Sequence, residues 1–320
     1  MAPHTNISGG VKTICTLAQM FSAHYKTTVV FNRLFDPRLR WLFNDVPYRF
    51  VATQRGSPLT CAKVDCVVDF MDNVIDTGIN APHVLFMQGY GNTPTEFNNL
   101  NFPFKLIIAT SQWLADVARG RGHSSVVVIP PGIQDCFLSC GEKIFHDRVI
   151  VGSLFHKFAV KNSSAFIAAM NGIAKRTSVP VSLLLLASSI ADCTPKPELR
   201  CDWYMAPRQE LLPNMYNKCT VWASPSLREG FGLTTVEAMA CGVPVVWVRS
   251  GGLDACMLDG ENCLIVEPGR VYDDLGSAVL RLIEDKVLAK KLSVNGQRTA
   301  KQFTWEKCFM KFKAVLDKIF

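Results

Sequence analysis

Residues 224–242 read Ser-Pro-Ser-Leu-Arg-Glu-Gly-Phe-Gly-Leu-Thr-Thr-Val-Glu-Ala-Met-Ala-Cys-Gly, and this stretch decides the fold. The apolar run Val221, Trp222, Ala223 ends at Pro225 and Ser226, as a buried strand ends at a turn. A glycine-bearing turn carries Glu229. A helix then opens near Gly232 and carries Glu237. One carboxylate therefore sits at the mouth of a strand-to-helix turn, and a second sits about one turn into the helix. Between them lie the N–H groups of a helix N-terminus, which suit an anion. Gly232 permits close approach of backbone to a ligand, and the N–H groups of Leu233 and Thr234 are the expected anion donors.

Two acceptor-only carboxylates beside an anion site suit a ligand with phosphate in its middle and hydroxyls at both ends. A nucleotide sugar has that layout. The flanking sequence supports the reading. Gln209-Glu210-Leu211-Leu212-Pro213 and Met215-Tyr216 precede the stretch. Pro244-Val245-Val246, Gly251-Gly252, Asp259-Gly260-Glu261-Asn262, Leu264-Ile265-Val266 and Phe303-Thr304-Trp305-Glu306 follow it. In order and spacing, residues 201 to 310 resemble the retaining glycosyltransferases of family 4, and the first 200 residues resemble them more loosely. The resemblance implies an α/β protein of GT-B type. Such a protein has two Rossmann-like domains whose parallel sheets face across a cleft, with a C-terminal helix crossing back to the first domain.

The alternation of strands and helices agrees with parallel sheets covered on both faces. In the first half, a helix is expected from Val11 to about Tyr25. Strands are expected at Thr27–Phe31, Arg49–Ala52, Cys66–Phe70, Val84–Met87, Leu106–Ala109 and Val126–Ile129. Thr110-Ser111 is the expected cap of a helix from Gln112 to Arg119. A second series starts with the strand Val149–Val151 and the helix Ser163–Lys175. It continues through Val181–Ala187, Trp203–Met205, the helix Glu210–Lys218, Val221–Ala223, the helix Leu233–Cys241 and Val245–Val248. The tail is helical, at about 271–284, 287–302 and 305–319. Residues 136–146 lack clear periodicity, which places a domain boundary between Gly132 and Asp147. The expected division is 1–140, joined by a last helix at about 305–320, and 141–304. Ala2–Asn6 makes a poor strand, so the first domain is expected to lack an opening strand or to replace it irregularly.

The resemblance also assigns roles. Glu229 meets the donor sugar, and Glu237 grips the ribose. Gly230, Phe231, Gly232, Leu233 and Thr234 form the turn at the diphosphate. The run Val151-Gly152-Ser153-Leu154-Phe155-His156-Lys157-Phe158-Ala159-Val160-Lys161-Asn162 looks like the family's first strand of the donor domain and its phosphate-binding lysine, Lys161. Relatives often carry arginine where Ser153 stands and glycine where Asn162 stands. The second cation is therefore missing, and His156 or Lys157 is the expected substitute. Gly9 and Gly10 open the first helix and are assigned to the cleft. Gln88 follows a strand where relatives carry a polar residue facing the sugar. Tyr90 and Glu96 are weaker candidates, and His83 reads as structural.

Composition bounds the alternatives. The chain has 320 residues, 48% of them hydrophobic, with a formal net charge of +7. The basic excess is spread over both halves, which disfavours nucleic acid. Lys301, Lys307, Lys311, Lys313 and Lys318 form a local basic run, read as a solvated helix face with at most peripheral membrane contact. No apolar run reaches the roughly 18 residues of a membrane span, and no secretory leader is expected, since the first residues are neither basic nor apolar. The 12 cysteines show no C-x2-C spacing and read as reduced thiols of a cytoplasmic protein. No phosphate loop, complete G-x-G-x-x-G or Gly-x-Ser-x-Gly elbow occurs.

No two aspartates flank a single residue, so the Asp-x-Asp metal motif of the other major glycosyltransferase fold is missing. The expectation is a metal-free enzyme without cofactor. It would transfer hexose from a nucleoside diphosphate sugar, GDP-mannose before UDP-glucose, to a glycan, lipid-linked or protein-linked hydroxyl acceptor. A non-catalytic nucleotide-sugar-binding protein and a nucleotide-sugar epimerase of the same fold stay open as alternatives.

Overall fold

The computed structural model describes residues 9–31, 49–52, 64–70, 80–91, 98–141, 143, 148–187 and 197–319. The first elements are helix α1 (Gly9–Ser22) and strands β1 (Thr28–Phe31), β2 (Arg49–Ala52), β3 (Val67–Phe70), β4 (His83–Met87) and β5 (Leu106–Ala109). Helix α2 (Gln112–Gly120), strand β6 (Val126–Val128) and the one-turn helix α3 (Asp135–Leu138) follow. The second series is β7 (Val149–Phe155), α4 (Ser163–Ala174), β8 (Val181–Ala187), β9 (Cys201–Met205), α5 (Leu212–Lys218), β10 (Val221–Ser224), α6 (Leu233–Ala240), β11 (Val245–Val248) and β12 (Leu264–Val266). Helices α7 (Val271–Glu284), α8 (Lys286–Ala300) and α9 (Trp305–Leu316) complete the chain. Two short elements were not expected: α3 is too short for a helical period to show, and β12 has three residues.

The chain divides into two compact units, 1–131 with 305–320, and 132–304. The second unit thus begins ahead of the expected 140/141 boundary. The reason is local. Ile133 N–H donates to the Phe303 carbonyl at 3.0 Å, and Phe137 packs edge-on against Tyr216 with ring centroids 6.0 Å apart. Residues 132–141 are therefore held by the second unit's core.

In the first unit, β3-β4-β5-β6 form a parallel sheet in chain order, and β1 and β2 pair in parallel separately. Strand β4 is apolar on both faces. Val84 and Phe86 pack with α1 (Val11, Ile14, Leu17) and with α9 (Cys308, Phe312, Leu316). Leu85 and Met87 pack with Leu114, Ala115 and Ala118 of α2. So α9 belongs to this unit because its apolar stripe completes the first of these cores. Ser111 holds the N-cap position of α2 but makes no capping bond. Thr110 Oγ1 instead donates to the Met87 carbonyl at 3.2 Å. The expected loss or irregular replacement of an opening strand falls on residues 2–6, and Glu96 on residues 92–97; both lie outside the described residues.

In the second unit the sheet order is β12-β11-β10-β7-β8-β9, all parallel. Its two faces are closed by α4 and α7 on one side and by α5 and α6 on the other. The strand order reverses between β7 and β10. In open parallel sheets, ligands bind outside the carboxyl ends of strands at such a reversal. The ten described cysteines are free thiols, and among the described residues no helix is long and apolar enough to cross a membrane.

Candidate active site

The polar residues singled out in the second unit gather at that reversal. Strand β10 is buried throughout and delivers the chain into the loop 225–232. Two backbone bonds fix this loop to both neighbours. Leu227 N–H donates to the Val160 carbonyl at 2.8 Å, and Glu229 N–H donates to the Ser250 carbonyl at 2.9 Å. The first bond ties the loop to the turn Ala159–Lys161 that follows β7. Lys161 and Glu229, 68 positions apart, consequently meet: Lys161 Nζ donates to Glu229 Oε1 at 2.7 Å. Their side chains are 22% and 13% exposed, so the pair is shielded but reachable. Such a charge-assisted bond fixes both groups more firmly than a neutral one.

Asn162 follows Lys161 with φ +52°, a left-handed conformation. Asparagine tolerates that region better than most residues. This explains how it can stand where glycine is common in the family resembled.

Glu237, 6% exposed, lies one turn into α6. Its Oε2 accepts from Tyr216 Oη at 2.8 Å and its Oε1 from Gln209 Nε2 at 3.2 Å. Burial, and next the Glu237 carboxylate, hold the Tyr216 phenol well above its ordinary range. It therefore remains a neutral donor.

Gly232 caps α6 with φ +106°. A Cβ there would meet the Trp247 ring at 3.0 Å, besides the backbone strain. The N–H groups of Thr235 and Val236 turn back to the Gly232 carbonyl. Those of Leu233 and Thr234 have no acceptor among the described residues. Gly230 lies half-buried in the same loop. Phe231 is buried, with its ring edge-on to Phe303 at 5.1 Å.

Ser153 and His156 have hydrogen-bond partners within the unit. Ser153 is 1% exposed and donates its hydroxyl to the Ala223 carbonyl at 2.8 Å. It ties β7 to β10 beneath the site and replaces no cation. His156 lies at the end of β7, with Nδ1 accepting from Phe158 N–H at 3.1 Å. In the neutral ring, Nε2 then carries the proton.

The remaining candidates belong to the first unit. Gly9 and Gly10 open α1. Gln88 follows β4, and its Nε2 is buried with no partner among the described residues. The Tyr90 hydroxyl accepts from Arg121 at 2.7 Å. His83 Nδ1 pairs with the buried Asp69 at 2.6 Å, at the start of β4 rather than its carboxyl end, as a structural histidine would.

Sequence reasoning did not single out Gln209, Tyr216, Ser250 or Asp254 as site residues. Gln209 and Tyr216 were visible only as part of the flanking pattern. The Asp254 contacts depend on a loop that carries no spacing signal.

Residues 146–285 match the family model described as Glycosyl transferases group 1. The matched segment lies wholly within the second unit, 132–304. An uncharacterized glycosyltransferase of Methanocaldococcus jannaschii is 41% identical over 102 residues, 32% of this chain and 29% of that protein. The O-antigen chain mannosyltransferase B of Escherichia coli is 36% identical over 99 residues, 31% of this chain and 25% of that protein. These alignments thus span under a third of either relative. The Anabaena HepE structure in complex with UDP-glucose superposes with a TM-score of 0.80 at 18% identity, covering 99% of this chain and 98% of that one. That likeness is one of fold, and the fold is GT-B.

Proposed function

We propose that the chain is a retaining hexosyltransferase that uses a nucleoside diphosphate sugar and needs no metal. One observation carries the reading: the Lys161–Glu229 pair at 2.7 Å stands beside the α6 N-terminus, at the carboxyl ends of β7 and β10. Glu237, held by Tyr216 and Gln209, accepts the ribose hydroxyls. The N–H groups of Leu233 and Thr234 and the Lys161 ammonium receive the diphosphate. Lysine has three N–H donors, so Lys161 can keep Glu229 while donating to phosphate. Glu229 accepts from the sugar hydroxyls and fixes the ring.

In the transfer step the bond from sugar C1 to the phosphate oxygen breaks, and its electron pair stays on the diphosphate. The acceptor oxygen bonds to C1 from the same face, and its proton passes to a leaving phosphate oxygen. Lys161 and the N–H groups stabilise the charge that develops there, as preorganised donors do. They supply what a divalent cation supplies elsewhere, so EDTA should leave the rate within twofold. A rate that collapses with EDTA and returns with Mn2+ refutes this. Titration calorimetry with a panel of nucleotide sugars tests the donor, with GDP-mannose expected ahead of UDP-glucose. The acceptor is a glycan, lipid-linked or protein-linked hydroxyl.

Ser153 favours a second reading. It offers the diphosphate no cation, as a protein that only binds nucleotide sugars would tolerate. Donor binding with neither transfer nor slow donor hydrolysis would support that reading. A changed sugar on the released nucleotide would mark an epimerase.

A further inference from the structure

The geometry points to Asp254 as a positioning residue for Glu229, an inference that rests on the transferase reading above. Asp254 lies in the turn after β11. Its Oδ1 accepts from Trp247 Nε1 at 2.7 Å and from Ser250 N–H at 3.3 Å. Its Oδ2 accepts from Gly251 N–H at 2.9 Å. One carboxylate thus gathers an indole and two successive backbone amides. Ser250 is the residue whose carbonyl accepts from Glu229 N–H at 2.9 Å. Orienting the Ser250 peptide therefore orients Glu229.

The same loop supports the site a second way. Gly252 passes so close to Phe231 that a Cβ there would lie 2.2 Å from the Phe231 carbonyl oxygen. Trp247, tethered by Asp254, forms the floor under Gly232. Asp254 touches none of the groups assigned to the donor. It acts through the loop 249–252 on Glu229 from one side and on the start of α6 from below. An amide in its place keeps the shape but sets an N–H2 against at least one of the three donors.

The test is Asp254→Asn in the full chain, with Asp259→Asn as control. Asp259 also accepts a backbone N–H, from Ile265 at 2.8 Å, and has no tie to the donor site. In Asp254→Asn the indole N–H resonance of Trp247, assigned by its loss in Trp247→Phe, should move upfield. Hydrogen exchange at the Glu229 amide should speed up about tenfold or more. Transfer kcat should fall about 10–100-fold, the size of loss that a small misplacement of a reacting group produces. UDP and GDP affinities should stay within about threefold, because the nucleotide contacts are elsewhere. Asp259→Asn should leave all four readouts near wild type.

Unchanged Glu229 exchange in Asp254→Asn overturns the proposal. So does a kcat loss no greater than that of the control, or nucleotide affinity falling in step with kcat. Wild-type protein inert towards every nucleotide sugar overturns the transferase reading instead. The indole resonance and the Glu229 amide still report on the tether in that case.

Discussion

Both larger sheets are parallel, yet they differ in what their carboxyl ends carry. In the four-stranded sheet the order β3-β4-β5-β6 follows the chain. In the six-stranded sheet β7-β8-β9 run one way from the centre and β10-β11-β12 the other. At that reversal the connections leave towards opposite faces, and the loops after β7 and β10 part to form a crevice. Lys161 stands on one of these loops and Glu229 on the other, bridged at 2.7 Å. Among the described residues of the first unit, the position after β4 holds Gln88, whose Nε2 has no partner there. Topology alone thus accounts for where a charged, mutually fixed set of side chains can be built.

The comparison predicts that substitutions at the reversal dominate. Glu229→Gln keeps the size of the side chain but removes the charge opposite Lys161. Transfer kcat should fall about a thousandfold, with the melting temperature little changed; preorganised groups at a reacting centre act on this scale. Lys161→Met should lose about 100–1,000-fold. A loss below tenfold in both variants would show that the bridge is structural and that chemistry happens elsewhere.

Next in size is Gly252→Ala. The added methyl cannot coexist with the Phe231 carbonyl at 2.2 Å, so loop and helix start must separate. The expected cost is about 2–4 kcal/mol of stability, read from urea unfolding. A native-like midpoint would mean that the two loops are not in the close contact described.

Tyr216→Phe is a smaller change. It removes one charge-assisted donor from Glu237, a bond worth about 1.5–3 kcal/mol. Nucleoside diphosphate affinity should weaken about tenfold in calorimetry, whereas kcat at saturating donor should hold. Equal loss in kcat would move Glu237 from the ribose to the reacting sugar.

Much of this was legible in the sequence, for reasons that differ by residue. Glu229 and Glu237 stood out because a strand, a glycine turn and a helix follow within 22 positions, 221–242, and local order encodes local geometry. Lys161 could be named, but its bond to Glu229 could not, since that depends on Leu227 reaching Val160 across two strands. Ser153 could be placed on β7, but its bond to the Ala223 carbonyl could not, because strand alternation does not say which polar side chain is used up by a neighbouring strand. Asp254 was missed because three donors from Trp247, Ser250 and Gly251 converge on it only once the loop has turned. Helix α3 was lost to its length: four residues show no period.

The smallest effect tests the quieter unit. The Gln88 amide nitrogen is buried at the end of β4 without an acceptor among the described residues. A buried donor left unpaired costs about 1–3 kcal/mol, so Gln88→Leu should raise stability by about 1 kcal/mol in the absence of ligand. If a donor sugar hydroxyl supplies the missing acceptor, the same substitution should lower kcat/KM about three- to tenfold and leave UDP and GDP affinity unchanged. A gain in stability with no kinetic loss would make Gln88 an inert strain on the first unit. A loss as large as that of Glu229→Gln would end the asymmetry between the two sheets, because it would place a residue of equal weight where no reversal of strand order has prepared the ground.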